Sequence, residues 1–291
     1  LAIVTSRKRF DLAGYHTRDV STLPLADAVK LICAVWGQTA DLTTLAHRCG
    51  CLPMALRAAG ALLKKPGMTP EFVNQKLAAA YERLQLADPE NKNLTVAAAF
   101  QTSYDQLSPD LQCYWRSLGI FPADFNVKAA EAIWNIEDTP IVIKQSISAL
   151  DRLLSSPTMV KSVDAWDILS DLYATGLVDY TGGRWHLHDL ARDFTRSLWE
   201  SAELYKLAYQ HALYYRDLLA KANLQYFKGN EDLLAGLALF DLERSNIEAG
   251  QAWAAAHITD PSATKLCNEY PGAGGYVLSL RLHPKDHIVW L

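Results

Sequence analysis

Past its first residues the chain carries helical periodicity almost throughout, and one segment breaks it. Leu177 to Tyr180 and Arg184 to Leu187 read as two short strands, with Thr181-Gly182-Gly183 between them as a glycine-rich hairpin turn. Several helices followed by a lone hairpin give the outline of a winged-helix domain, so the fold class is mainly α. At the start, Leu1-Ala2-Ile3-Val4 is a continuous apolar run with β-branched residues, the pattern of a strand buried on both faces of a parallel sheet. Such a sheet places ligands beyond the carboxyl ends of its strands, where Thr5, Ser6 and Arg7 would project. No start signal precedes that strand, and the chain is expected to be a fragment of a larger protein.

The 291 residues suit two or three domains. Half are apolar and 21% charged, a normal soluble balance, and the net charge of −4 gives no general attraction to nucleic acid or anionic membrane. No apolar run approaches the roughly 18 residues that cross a bilayer. The five cysteines are odd in number and scattered, and Cys49-Gly50-Cys51 has the wrong spacing for a zinc knuckle. Reduced thiols in a cytoplasmic protein are the expectation, with no metal site.

The helices are punctuated by local signals. Leu25 to Trp36 is stopped by Gly37; Asp41 can cap a helix burying Leu42, Leu45, Ala46 and Cys49. Gly50 interrupts, and Pro53 takes the first turn of the next helix, where its missing N–H costs nothing. Lys64-Lys65-Pro66-Gly67 ends that helix, and another runs from about Thr69 to Leu86 before a polar linker from Asp88 to Asn93. Ser108-Pro109 opens a helix with Leu111, Tyr114, Trp115 and Leu118 on its buried stripe. Helices are predicted around Val127–Trp134 and Val142–Leu154, and Asp164 or Asp167 opens one that Gly176 ends. Beyond Asp189 the chain is helical again: Leu204, Leu207, Ala208, His211, Tyr214, Tyr215 and Leu218 share a face, and Leu233–Phe240 with Leu242–Trp253 read as a helical pair, the building block of an α-solenoid.

Taken in order, Ile3-Val4-Thr5-Ser6-Arg7, Leu23-Pro24-Leu25, Cys49-Gly50-Cys51-Leu52-Pro53-Met54-Ala55-Leu56, Ser103-Tyr104-Asp105-Gln106-Leu107, Ile120-Phe121-Pro122 and His186-Leu187-His188-Asp189-Leu190 resemble the second half of an NB-ARC-type (STAND) signal-transduction ATPase. The resemblance covers Leu1 to about Leu198. His211-Ala212-Leu213-Tyr214-Tyr215 and Leu242-Glu243-Arg244-Ser245-Asn246-Ile247 are similar to the helical segment that leads into tetratricopeptide-like repeats in bacterial members. It implies the end of a P-loop domain over 1–16, an ARC-type helical domain over 17–93, a winged-helix domain over 94–199, and the start of a repeat region over 200–291. The chain departs from the pattern where Leu187 replaces the usual Met and Cys51 a second Gly. The P-loop and its acidic magnesium partner are not in this sequence, so Mg2+ is expected only with that part and the fragment should not hydrolyse ATP alone. The stretch Thr139–Val163 is longer than the family norm.

The resemblance assigns nucleotide contacts to Arg7, Leu52, Pro53 and His188, with ADP or ATP as the ligand. The matching Arg senses the γ-phosphate, a role suited to a planar, always-charged guanidinium. Pro53 lays a rigid ring against adenine, and His188 donates to the β-phosphate. Each has an ordinary reading as well: Arg7 as an ion-pair residue, Pro53 as a helix start, and His188-Asp189 as a local cap, while His186 reads as structural. The family's mechanism implies a switch closed and autoinhibited with ADP, opening to ATP and self-association when C-terminal repeats sense a ligand or protein. Two other classes stay open, a winged-helix DNA-binding regulator and a helical-repeat scaffold. The first is disfavoured because the recognition-helix candidate Val163–Thr175 carries Asp164, Asp167 and Asp171 and no Lys or Arg.

Overall fold

The computed structural model describes residues 21–87, 94–134 and 164–290. The strand expected at Leu1–Val4, Arg7, the 88–93 linker and the helix expected at Val142–Leu154 lie outside them. The described chain is mainly helical, with one two-stranded antiparallel sheet.

Four helices build a first core: α1 (Leu25–Trp36), α2 (Thr43–Arg48), α3 (Pro53–Leu63) and α4 (Pro70–Ala87). Gly37 ends α1 in the left-handed region, and its N–H returns to the Cys33 carbonyl. Ala28, Ile32, Leu42, Leu45, Leu56 and Val73 are among the residues that close this core. The next helix, α5 (Leu94–Tyr104), carries no amphipathic stripe and is buried nearly all round. Its surroundings explain why: Ala99 packs into the first core, while Val96, Ala97 and Phe100 pack into the second.

The second core begins with α6 (Pro109–Ser117), capped by Ser108, whose side chain accepts from the Leu111 N–H. A 3-10 turn over Leu118–Ile120 and α7 (Val127–Trp134) follow. Asp164 caps α8 (Ala165–Ala174) by accepting from the Trp166 N–H. The α8 end is a Schellman turn: Gly176 N–H bonds the Tyr173 carbonyl and Leu177 N–H the Leu172 carbonyl, burying Leu172 and Leu177. Strands β1 (Asp179–Thr181) and β2 (Arg184–His186) pair with Asp179 opposite His186 and Thr181 opposite Arg184. That register leaves Gly182 and Gly183 as a two-residue loop with φ of 61° and 81°, both positive, which side-chain-bearing residues resist. Phe125 adds to the β2 edge through a reciprocal pair of 2.9 Å backbone hydrogen bonds with Trp185.

Helix α9 (Asp189–Ser197) returns across this core, and α10 (Ser201–Lys228), α11 (Asn230–Ala256), α12 (Pro261–Arg281) and α13 (Pro284–Trp290) stack beyond it. One expectation is corrected here. Leu233–Phe240 and Leu242–Trp253 are not a helical pair but parts of the single helix α11. Asp241 between them is no helix breaker; its carboxylate takes the Arg281 side chain of α12 at 2.8 Å. Among the described residues no helix is long and apolar enough to cross a membrane.

Candidate functional site

The first turn of α3 is set by the backbone before it. Gly50 N–H bonds the His47 carbonyl and Cys51 N–H reaches back to Ala46, a second Schellman turn that ends α2. Gly50 and Cys51 both have positive φ, 62° and 52°, and the Cys51 carbonyl accepts from the Leu23 N–H at 3.0 Å. Leu52 then turns extended as the residue preceding the helix, and Pro53 occupies the first helical position. Leu52 packs against both cores, whereas Pro53 is exposed. No side chain caps this end, so the first-turn N–H groups of α3 keep their capacity for an anion. The Cys49 thiol beneath is pushed up to about 12 by burial and the neighbouring Cys51, so it is no nucleophile.

His188 stands at the start of α9 and is itself the cap: its Nδ1 accepts from the Leu190 N–H at 3.2 Å. A ring whose Nδ1 accepts carries its proton on Nε2 when neutral, so the exposed edge is a donor. Asp189 is not the cap; it holds Arg192 at 2.7 Å, and Arg192 also bonds the Phe121 and Leu187 carbonyls. Arg7 lies outside the described residues. The structure thus sets Leu52, Pro53 and His188 at the N-termini of two helices, α3 and α9, that pack against the same helix, α5.

The hairpin that delivers His188 is fastened on two sides by residues the sequence did not single out. On one side Arg57, one turn into α3, reaches Asp179 at 2.6 Å. Asp179 also faces His186 across the hairpin, 3.8 Å from Nε2 to carboxylate, and a Cβ placed on Gly176 would come within ordinary contact of the Arg57 carbonyl. The hairpin was legible in the sequence but its register was not: Thr181, expected in the turn, belongs to β1 and pairs with Arg184, which sets Asp179 opposite His186, and the partnership with Arg57, 122 positions away, left no signal either. On the other side Arg184 makes a two-pronged bond to Glu243 of α11, 2.7 and 2.8 Å, and bonds the Asp124 carbonyl at 2.6 Å. Glu243 is 1% exposed. Burial opposes the Arg184 charge, but the Glu243 carboxylate outweighs it and raises the guanidinium pKa.

Asn246 donates to the same Asp124 carbonyl at 2.9 Å, and beside it the fully buried His211 is held neutral, its pKa pushed down to about 3 chiefly by loss of solvent. Burial, then the Glu243 charge, lifts the Tyr214 hydroxyl to about 12. Tyr205 and Tyr209 both set their rings edge-on to Trp253. Helix α8 exposes Asp164, Asp167 and Asp171 to solvent with no basic residue along it, a surface that repels a DNA backbone.

No protein-family model matches the chain. It is similar to the Regulatory protein AfsR of Streptomyces griseus, 32% identical over 213 residues, covering 69% of this chain and 19% of that protein. It is also similar to the Regulatory protein AfsR of Streptomyces coelicolor, 29% identical over 211 residues with the same coverage. The chain therefore spans about a fifth of the length of these curated relatives, and the similarity runs through 69% of its own residues.

Proposed function

We propose that the chain is the regulatory portion of an ADP/ATP-dependent switch of the NB-ARC (STAND) type. The motif order and the similarity to two regulatory proteins support a role in signal transduction. The observation that carries the nucleotide reading is the hairpin fastened to α3 through Arg57–Asp179 and to α11 through Arg184–Glu243. One element then joins the adenine-side helix, the phosphate-side His188 and the C-terminal helices, which is the connection a ligand-driven switch requires.

The residues fit a nucleoside diphosphate. An uncapped helix N-terminus with an exposed proline ring in its first turn, and an imidazole whose Nε2–H is left to donate, supply phosphate donors and a face for a base. In this reading Arg7 reports the γ-phosphate, Leu52 and Pro53 flank the base, and His188 holds the β-phosphate in the closed state. Opening on ATP exchange would be a population shift, so the sensed ligand must bind the open form better than the closed. The reading places the intact protein in the cytoplasm, self-associating with ATP bound.

The test must separate the imidazole from its cap. His188→Ser retains an oxygen that can accept from Leu190 but loses the ring donor, whereas His188→Ala loses both. In the intact protein His188→Ser should release ADP about 10- to 100-fold faster, the effect of losing a charge-assisted hydrogen bond of about 1.5–3 kcal/mol, and should self-associate more readily by light scattering. Unchanged ADP release in His188→Ser would reduce the residue to a helix cap.

A further inference from the structure

A cleft of about 580 Å3 opens where the end of α9 and the first turns of α10 meet the C-terminal turns of α11. No hairpin residue lines it, and it owes nothing to the nucleotide reading. Its size lies within the range of small-molecule sites. Its wall is flat and aromatic: the Trp253 and His257 rings stack at 4.8 Å and 27°, and Tyr205 meets Trp253 edge-on at 5.3 Å. Trp199 contributes further apolar surface, because its indole N–H is already spent on the Arg116 carbonyl at 3.0 Å.

One cation lines this cleft. Arg196 is anchored by its Nε to the Gly119 carbonyl at 3.1 Å, and among the described residues its guanidinium forms no ion pair. Arg192 beside it is already paired with Asp189. The acidic groups nearby do not satisfy it either: Asp260 accepts from the Ser262 and Ala263 N–H groups, and Asp193 acts on Arg196 more weakly than Arg192 does. Arg196 is exposed along part of its length, and burial of the rest, then the Arg192 charge, lowers its pKa against the weaker pull of Asp193. A second polar group is defined by chemistry: His257 Nδ1 lies 2.8 Å from the Trp253 carbonyl, which can only accept, so Nδ1 holds a proton and Nε2 is left as an acceptor.

We propose that this cleft binds a small planar aromatic carboxylate, its ring against Trp253 and His257 and its carboxylate on Arg196. A carboxylate gains a charged partner in Arg196 that a neutral ring does not, and a cationic ring would be repelled. A ring N–H or hydroxyl would find its acceptor in His257 Nε2. Because α9 belongs to the winged-helix core and α10–α11 to the C-terminal stack, a bound ligand bridges the two.

Calorimetry on the full chain with indole-3-acetate as probe tests the assignment. Saturable binding is expected, weakened at least about tenfold by Arg196→Gln, as loss of a charged hydrogen-bond pair implies. Ala249→Phe, which fills the cleft from α11, should abolish it. Tryptamine, the same ring with a cation, should not bind. Circular dichroism checks the fold, and if Arg196→Gln unfolds, Ala249→Phe and tryptamine decide. Absence of binding to the wild type, equal binding to Arg196→Gln or Ala249→Phe, or tryptamine binding as tightly would each overturn the proposal. Displacement of the probe by ADP would also overturn it, by making the cleft a nucleotide site, whereas a null result at His188 leaves it untouched.

Discussion

At the scale of single residues, the buried pair Arg184–Glu243 is the sharpest energetic feature. Two charges taken out of water contribute little net stability when paired, but removing one strands the other. Arg184→Met leaves the Glu243 carboxylate buried without its partner and should cost about 3–5 kcal/mol in urea denaturation. The double variant Arg184→Met/Glu243→Leu should recover most of that, and a single-variant loss below about 1 kcal/mol would show that the pair is solvated. His211 makes a prediction in pH. Its folded pKa, about 3, lies below the ordinary 6.5, so its contribution is complete above pH 6.5 and is lost as the pH falls toward 3. Between pH 7 and pH 5 that proton alone removes about 2 kcal/mol. His211→Gln should flatten the stability profile by that amount over the same window, and parallel profiles would mean that the imidazole is hydrated.

At the scale of elements, α10 and α11 approach closely through glycine. A Cβ on Gly236 would meet the Ala222 carbonyl of α10 at 2.5 Å, and one on Gly250 would run into the Tyr270 hydroxyl and come within 3.0 Å of Ala212 Cα. Gly250→Ala should therefore destabilise by about 1–3 kcal/mol through overpacking. Gly275→Ala, in open space within α12, should be neutral or stabilise by up to about 1 kcal/mol, since alanine is the better helix former. Equal thermal shifts for the two would refute the close-packed seam. These elements also show what the sequence could reveal. Leu25–Trp36 with Gly37, Ser108-Pro109 and Gly182-Gly183 were readable because each signal acts on its own turn of chain. Helix α5 left no mark because a helix buried on all sides has no polar face to set a period. The break expected at Asp241 failed because the apolar pattern shifts there to serve a different neighbour, α12, without breaking the helix. At the candidate site the local facts were legible, Pro53 at a helix start and His188 after a strand, but Arg57–Asp179 and Arg184–Glu243 are long-range pairs with no sequence signature.

At the scale of the whole molecule, the two cores share α5, and this limits how a switch could open. Phe100 on that helix lies 6.1 Å from the Trp115 ring of α6 and 5.8 Å from Phe194 of α9, while Ala99 on the next position faces the first core. Two further ties cross the same seam: Lys65 bonds the Gln106 carbonyl at 3.2 Å, and Arg83 pairs with Asp105 at 3.1 Å. Those two are polar and partly exposed, worth at most about 1 kcal/mol each, whereas the α5 packing is apolar and buried. A rotation of the cores that breaks only the polar ties is therefore cheap, and one that removes α5 from either core is not. The two cores should accordingly share their stability. Phe100→Ala, made in the second core, should cost about 3–5 kcal/mol and should lower amide hydrogen-exchange protection in α3 as well as in α9. If protection falls in α9 alone while α3 keeps its own, the cores open independently, α5 is a passive linker, and a transmitted change would have to run through the Arg57–Asp179 clasp instead.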